Sequence, residues 1–266
     1  EGRPLGVMSV FRDVTERRRL EQEKADFLSM VTHDLKSPLT TVLGYTALLL
    51  EGGMGELNAD VGESVEAIDR SGKKLLSLIE DFMTLCRYDS GVKAPAFAPV
   101  HMGRIAEAVV SSCWPEASRT GKLLELHAPP ELPSVPGDPK QLERLLGNLI
   151  DNALKFTGRD GHIVVTLAVR EEEDVAGKLG TKPVSRGRHL EVSVKDDGIG
   201  VPEAELPHLF ERYWRGRQSG AFKGSGLGLA IVKCLADGHG ASIKAESVEG
   251  SGSAFYVWLP LSPTRP

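Results

Sequence analysis

Long apolar runs are missing from this 266-residue sequence. The longest candidate, residues 40–50, is interrupted by Gly44 and Tyr45 and ends at Glu51, whereas a membrane-spanning helix needs roughly 18 to 20 apolar residues. Basic residues are also too few for a nucleic-acid surface, because 32 lysines and arginines face 37 aspartates and glutamates. We therefore expect no membrane segment in this stretch of chain and no nucleic-acid partner.

Cysteine is scarce as well. The three cysteines, Cys86, Cys113 and Cys234, share no close spacing, which supports neither a zinc knuckle nor a disulfide framework. A reducing compartment fits this usage best, so we expect a cytoplasmic location. Hydrophobic residues nevertheless make up 41% of the chain, enough to bury a core, and the length predicts two domains. The first residue is Glu1 and not Met, which indicates a piece of a longer protein.

Two amphipathic helices are predicted between residues 15 and 90. On the second helix, apolar residues return at alternating steps of four and three, which is a heptad seam: Val61, Val65, Ile68, Gly72, Leu75, Ile79, Phe82 and Cys86. The glycine-rich residues 52–55 allow the helices to fold back as an antiparallel hairpin. One hairpin cannot cover a seam on each helix, so we expect two copies to form a dimeric four-helix bundle.

A different pattern begins after an Ala- and Pro-rich stretch at residues 92–99, which we interpret as an interdomain linker. Helical and strand-like segments then alternate, and they predict an α/β sandwich with a mixed sheet and helices on one face. The predicted helices cover residues 102–119, 139–156, with Asp138 as N-cap, and 227–237. The predicted strands cover residues 122–127, 162–170, 190–196, 241–247 and 254–259, with a long loop at 171–188.

A polar stripe follows the predicted helix 139–156. Asn148, Asn152 and Lys155 are four and seven residues apart, so they project from one face. Two amides and a lysine can hold a hydrated divalent cation and an oligophosphate. A solvated polar face explains the same spacing equally well, so the stripe alone does not decide between the two.

The predicted strand 190–196 ends in a carboxylate, and two glycines follow it. Asp196 can accept a hydrogen bond from an exocyclic amine such as that of adenine, while Gly198 and Gly200 let the backbone approach a flat ligand. This pattern is weak alone, because Asp-Gly is also an ordinary turn signal.

A second glycine cluster, Gly224, Gly226 and Gly228, opens the predicted helix 227–237. Unpaired N–H groups and the positive end of the helix dipole favour an anion at such a place. The cluster lacks the lysine of a Walker loop and the strand context of a Rossmann fingerprint. The preceding residues 202–223 are basic and rich in glycine, and we interpret them as a mobile lid.

One histidine of the first helix is poorly explained by packing. His33 lies two positions after the seam residue Val31, which predicts a water-facing side chain beside Asp34, and Pro38 predicts a bend one turn later. For a lone His-Asp pair, a surface histidine without function is the more common explanation.

Taken in their order along the chain, the four motifs resemble the H, N, G1 and G2 boxes of bacterial sensor histidine kinases, and residues 209–215 resemble the F box. The resemblance covers the chain from about Arg19 to Pro260. It implies a signalling helix at residues 15–26, a dimerisation and phosphotransfer hairpin at 27–91, and a Bergerat-type ATP-binding domain at 100–262. Residues 1–14 resemble the end of a PAS sensor domain.

The resemblance also implies roles for single residues. His33 would be the phosphoacceptor, Asp34 its acid/base partner, Asn152 the ligand of Mg²⁺, and Asp196 the adenine contact. The other nucleotide contacts implied are Asn148, Lys155, Phe156, Gly198, Gly200, Phe210, Arg215, Gly224, Ser225, Gly226, Leu227 and Gly228. ATP and Mg²⁺ are the implied cofactors, and a second copy of the chain and the receiver domain of a response regulator are the implied partners.

One position departs from the family pattern. The family often has Thr or Asn four residues after the phosphoacceptor, where this chain has Ser37, so regulator phosphatase activity stays open. Two alternatives to a kinase also remain. Similar nucleotide boxes occur in ATP-driven clamps, which do not need an exposed His-Asp pair on a helix, and a catalytically inactive scaffold signals by conformation alone.

Overall fold

The structure is a computed structural model that describes residues 15–55, 57–89, 97–172, 187–216 and 225–261. Within these ranges, residues 15–29, 33, 87–89 and 172 are described by their backbone alone. The chain divides into two compact units, Glu1–Val92 and Lys93–Pro266. The predicted PAS remnant at residues 1–14 lies outside the described ranges and stays a prediction. Among the described residues, no helix combines the length and the apolarity needed to cross a membrane.

The first unit contains the predicted helical hairpin, built from α1 (Thr15–Leu50) and α2 (Ala59–Asp89). Its cross-helix contacts show that the helices are antiparallel. Leu43 packs against Gly72, where a Cβ would lie 2.8 Å from Leu43 Cδ2, and three residues further along α1 Thr46 Oγ1 donates to Asp69 Oδ1 at 3.1 Å. The absence of a side chain at Gly72 therefore allows the two helices to approach closely.

The heptad seam of α2 separates into two rows. Val65 is 7% exposed and Gly72 is buried, so this row faces α1. The other row, which we call the outer row, repeats every seventh residue and is 41 to 51% exposed: Val61, Ile68, Leu75 and Phe82. Helix α1 therefore covers only one half of the seam.

The second unit has a mixed sheet, as predicted, with helices on one face. Its strands are β1 (Ala98–Val100), β2 (Leu123–His127), β3 (Val135–Gly137), β4 (His162–Glu172), β5 (Gly187–Asp196), β6 (Ser242–Val248) and β7 (Gly252–Pro260). Its helices are α3 (Met102–Arg119), α4 (Pro139–Phe156), α5 (Gly228–Gly238) and a short 3₁₀ helix at Glu203–His208. The five-stranded sheet has the order β2-β4-β5-β7-β6, in which only β2 and β4 pair in parallel.

Several predicted boundaries of helices and strands need correction. Strand β1 begins inside the predicted linker 92–99 and pairs with β3, and neither of these three-residue strands was predicted. Strands β4 and β5 also extend into both ends of the predicted loop 171–188, where residues 171–172 pair with 187–188. Short strands escape periodicity because three residues are too few to show an alternation.

Hydrogen bonds connect the N-terminus of α4 to the C-terminus of α5. These ends lie opposite to the ends that contain the asparagines of α4 and the glycines of α5. Asp138 caps α4 by accepting from Lys140 N at 3.0 Å, as predicted, and its own N–H donates to His239 Nε2 at 3.1 Å. His239 Nδ1 in turn donates to the carbonyl of Leu235, in the last turn of α5, at 2.7 Å. Burial lowers the pKa of His239, which favours the neutral ring that this pair of bonds requires.

Candidate functional site

The polar stripe of α4 faces the beginning of α5. A Cβ at Gly228 would lie 3.3 Å from Asn148 Oδ1 and 3.6 Å from Asn152 Nδ2. Asn148 Nδ2 donates to the carbonyl of Arg144 at 2.9 Å, which holds its oxygen toward α5. Both asparagines are only partly exposed, so the alternative of a solvated polar face does not describe this stripe.

The amide nitrogen of Asn152 is left without a partner. Nδ2 is buried and finds no hydrogen-bond acceptor among the described residues. An unpaired buried donor costs free energy, so such a group is usually satisfied by water or by a ligand. Asn152 Nδ2 is therefore available to an acceptor from a ligand, such as a phosphate oxygen.

Helix α5 presents its N-terminus to these asparagines, since Gly228 is its first residue. The segment before it is held by Tyr213, whose N–H donates to the carbonyl of Gly226 at 2.9 Å. Gly226 has a φ of 73°, and a Cβ there would lie 2.8 Å from the carbonyl carbon of Tyr213. Ser225 is exposed and Leu227 is buried, while Gly224 lies outside the described residues.

Asp196 is the last residue of β5, and its carboxylate is partly withdrawn from water. Oδ1 accepts from the N–H of Gly198 at 3.0 Å. Burial raises the pKa of Asp196 from its ordinary 3.8 to about 6, and the neighbouring Asp197 adds to this rise. A buried carboxylate with remaining acceptor capacity is suited to receive a donor from a ligand.

The two glycines after Asp196 are required by the protein's own backbone. A Cβ at Gly198 would collide with the carbonyl oxygen of Phe156, at the end of α4. Gly200 has a φ of 63°, and a Cβ there would collide with the carbonyl oxygen of Val248. These contacts place the loop against α4 and the β6–β7 turn. Close packing of the protein's own backbone therefore explains why both positions are glycine, without the approach of a ligand.

The remaining residues predicted to contact the nucleotide differ in their exposure and in their contacts. Lys155 Nζ lies 4.5 Å from the centre of the Phe156 ring, and the carbonyl of Phe156 accepts from the N–H of Ile199 at 3.2 Å. Arg215 is exposed, whereas Phe210 is only 8% exposed. In the first half of the predicted lid 202–223, the side chains of Leu206, Leu209 and Phe210 are buried. The mobility of the lid stays a prediction.

Gly252 and Ser253 contact Asp196 and were not predicted. Both belong to β7, which pairs with β5 so that Ser253 lies opposite Asp196. The N–H of Ser253 donates to the Asp196 carboxylate, and a Cβ at Gly252 would collide with the carbonyl oxygen of Asp196. The run Gly250-Ser-Gly-Ser, which leads into the last strand, was the available signal, but it also fits an ordinary hairpin turn.

The predicted phosphoacceptor region lies in the other unit. The backbone of His33 is helical and lies in the middle of α1, and its side chain is outside the described residues. Asp34 and Ser37 are exposed, and α1 continues through Pro38 to Leu50. Thr41 Oγ1 donates to the carbonyl of Ser37 at 3.2 Å, close to the place where Pro38 removes a backbone donor.

Comparison with known families assigns both units. Residues 23–91 match the His Kinase A (phospho-acceptor) domain, and residues 137–263 match the histidine kinase-, DNA gyrase B- and HSP90-like ATPase family. The two matches together cover most of the chain and stand in the order found in histidine kinases. The chain therefore belongs to the sensor histidine kinases of two-component systems, as the resemblance implied.

Individual relatives agree with this assignment. The circadian input-output histidine kinase CikA of Synechococcus elongatus is 35% identical over 91% of this chain and 31% of its own length. The sensor histidine kinase WalK of Bacillus subtilis is 29% identical over 97% of this chain and 40% of its own length. The chain thus spans well under half the length of these relatives. The solved structure of full-length ShkA in complex with AMPPNP matches 91% of this chain and 47% of that chain, with a TM-score of 0.66 and 27% identity.

Proposed function

We propose that this chain is the kinase core of a two-component sensor: it transfers the γ-phosphoryl group of ATP to His33 and then passes it to an aspartate in the receiver domain of a response regulator. The single observation that carries the ATP-binding half of this proposal is the meeting of Asn148 and Asn152 with the N-terminus of α5. The unpaired donor of Asn152 and the dipole of α5 both favour the phosphates of a nucleotide. The related ShkA structure holds the ATP analogue AMPPNP.

The donor set also fits magnesium. Mg²⁺ is commonly held by one or two protein oxygens together with waters and substrate phosphates. In the described residues no three His, Cys, Asp or Glu side chains form a metal cage, which fits an ion held mainly by the nucleotide and by Asn152 Oδ1. Such an ion would neutralise charge on the phosphates during transfer.

The protein would then contribute by positioning the reacting groups and by stabilising their charges. In the transfer, the bond between Pγ and the bridging oxygen of ATP breaks, a bond from Pγ to a ring nitrogen of His33 forms, and ADP leaves. Asp34 would hold the other ring nitrogen, which raises the basicity of the attacking one and stabilises the product. Lys155, beside Asn152 on α4, supplies a cation on the phosphate side.

The outer row of α2 supports a homodimer. Four large apolar side chains repeated every seventh residue on an exposed helix face form the seam of a helical bundle. A second copy of the hairpin offers the same row and completes a four-helix bundle. We propose that the protein acts in this dimeric form.

Incubation of the chain with γ-labelled ATP and magnesium tests the proposal against its two alternatives. A histidine kinase leaves an acid-labile label on the protein, because phosphohistidine hydrolyses in acid. An ATP-driven clamp releases free phosphate without labelling the protein. A scaffold does neither, and either of these last two results contradicts the proposal.

Nucleotide affinity should depend on pH through Asp196. The pKa of Asp196 in the folded protein is about 6, above the ordinary 3.8. Ionisation of this carboxyl therefore destabilises the folded state as the pH rises from about 3.8 to about 6. A bound adenine amine stabilises the ionised form, and the affinity should therefore fall as the pH is lowered from 7.5 to 5. Calorimetry with Mg-ADP on wild type and Asp196→Asn measures this, and the difference between the two cancels the titration of the nucleotide. Parallel pH profiles would contradict the role of Asp196.

Ser37 carries a separate expectation. If its hydroxyl orients a water on the phosphorylated regulator, Ser37→Ala should slow regulator dephosphorylation severalfold and affect the labelling of His33 far less. Ser37→Thr keeps the hydroxyl and should retain the activity. Decay of purified phospho-regulator with the three proteins measures this, and equal decay rates would leave the chain a kinase without phosphatase activity.

A further inference from the structure

The hydroxyl of Ser247 joins three separate parts of the second unit. Ser247 Oγ donates to the carbonyl of Gly252 at 2.7 Å, accepts from the N–H of Val201 at 2.8 Å, and lies 2.9 Å from Ser253 Oγ. A serine hydroxyl has one proton and two lone pairs. Since the proton goes to Gly252 and one lone pair to Val201, the hydroxyl of Ser253 is the donor in the third bond. The hydrogen-bonding capacity of Ser247 is fully used.

These contacts surround the end of the site that contains Asp196. Val201 closes the loop that begins after Asp196, and Ser253 donates its N–H to the Asp196 carboxylate from the opposite strand. The β6–β7 turn also contacts this loop, because the N–H of Gly250 donates to the carbonyl of Ile199 at 2.7 Å. Ser247 therefore links both flanks of Asp196, although it lies on β6 and does not contact the carboxylate itself.

We propose that Ser247 is a positioning residue for recognition of the nucleotide base. It holds the loop after Asp196 and the start of β7 at a fixed separation, so that the carboxylate is directed toward the exocyclic amine of adenine. This inference rests on the proposed nucleotide site, and it adds a residue outside every motif that the sequence analysis identified. Pre-organisation of this kind lowers the entropy cost of binding. Its loss should mainly weaken the hydrogen bond between Asp196 and the exocyclic amine.

The test compares two nucleotides that differ only in the amine. Binding of Mg-ADP and of Mg-purine riboside diphosphate, which lacks the exocyclic amine, is measured by calorimetry on the full chain. In Ser247→Ala we expect the ADP affinity to fall about tenfold, the size of one lost net hydrogen bond, and the affinity for the amine-free nucleotide to change less than about threefold. Ser247→Thr keeps the hydroxyl and should restore the preference for ADP.

Controls separate positioning from general stability. Ser251→Ala removes a hydroxyl from the exposed turn of the same hairpin and should leave both affinities unchanged. Ser247→Cys keeps nearly the same volume but has a weaker hydrogen-bonding group. It replaces the alanine variant in the test if that variant fails to fold, and we expect it to lose part of the preference for ADP over the amine-free nucleotide. An equal loss for both nucleotides, or no loss for either, overturns the inference. A wild type that does not bind ADP overturns the proposed function instead, and one that binds both nucleotides equally overturns the role of Asp196 together with this inference.

Discussion

His33→Gln is expected to abolish phosphorylation of the chain while its affinity for nucleotide changes by no more than about twofold. Glutamine has no ring nitrogen that can take the phosphoryl group, so no phosphohistidine can form. His33 belongs to the hairpin unit, whereas Asn152, Asp196 and Gly228 belong to the other compact unit. Because effects at independent sites add, removing the acceptor should leave nucleotide binding intact.

Two measurements on the same preparation check this expectation. Labelling with γ-labelled ATP reports the phosphoryl transfer, and calorimetry with Mg-ADP reports the nucleotide site. Residual acid-labile label in the variant would assign the acceptor to another histidine. A large loss of ADP affinity would show that the two units do not act separately in binding.

Asn152→Asp should remove nucleotide binding as well as activity, unlike His33→Gln. The change replaces the unpaired buried donor with a second carboxylate oxygen and places a negative charge beside the phosphates. Hydrogen bonds to charged groups contribute about 1.5 to 3 kcal/mol, so we expect the ADP affinity to fall at least about tenfold. Dimerisation should persist, because the outer row of α2 does not include Asn152.

Gln141→Glu is the matched control for this variant. It makes the same amide-to-carboxylate change on the same helix, about 16 Å away along the axis at 1.5 Å per residue. The amide of Gln141 donates to the carboxylate of Asp138 at 3.3 Å, so a thermal melt of the control measures the loss of that bond. ADP affinity should be nearly unchanged in the control, and light scattering should give the mass of two chains for both proteins. A control as damaging as Asn152→Asp would show that any new charge on α4 disturbs the unit, and monomers of Asn152→Asp would contradict the separation of the two units.

The helices and strands that could be predicted from the sequence are those with a clear local pattern. The hairpin, α3, α4, α5 and the five strands of the larger sheet follow from periodicity, from the cap at Asp138 and from glycine-rich turns, all of which act over a few residues. The ordered set of motifs was equally visible, and together with the resemblance it pointed to a histidine kinase. The pair β1 and β3 was not visible, since each strand has only three residues, which are too few to show an alternation.

Contacts between distant segments decided the rest. Heptad spacing predicted one seam on α2, but only packing against α1 shows that Val65 is covered and that Ile68 is left exposed. The stripe of α4 had two interpretations until the fold brought Gly228 to Asn148 and Asn152.

The sequence by itself therefore determined the order of the helices and strands and the residue types of the site, because these depend on neighbours along the chain. Tertiary structure alone decided which of these residues meet, how far burial raises the pKa of Asp196, and that the hydroxyl of Ser247 supports the loop beside it. Desolvation and hydrogen-bond partnership depend on what the fold places around a group, and no local pattern contains that information.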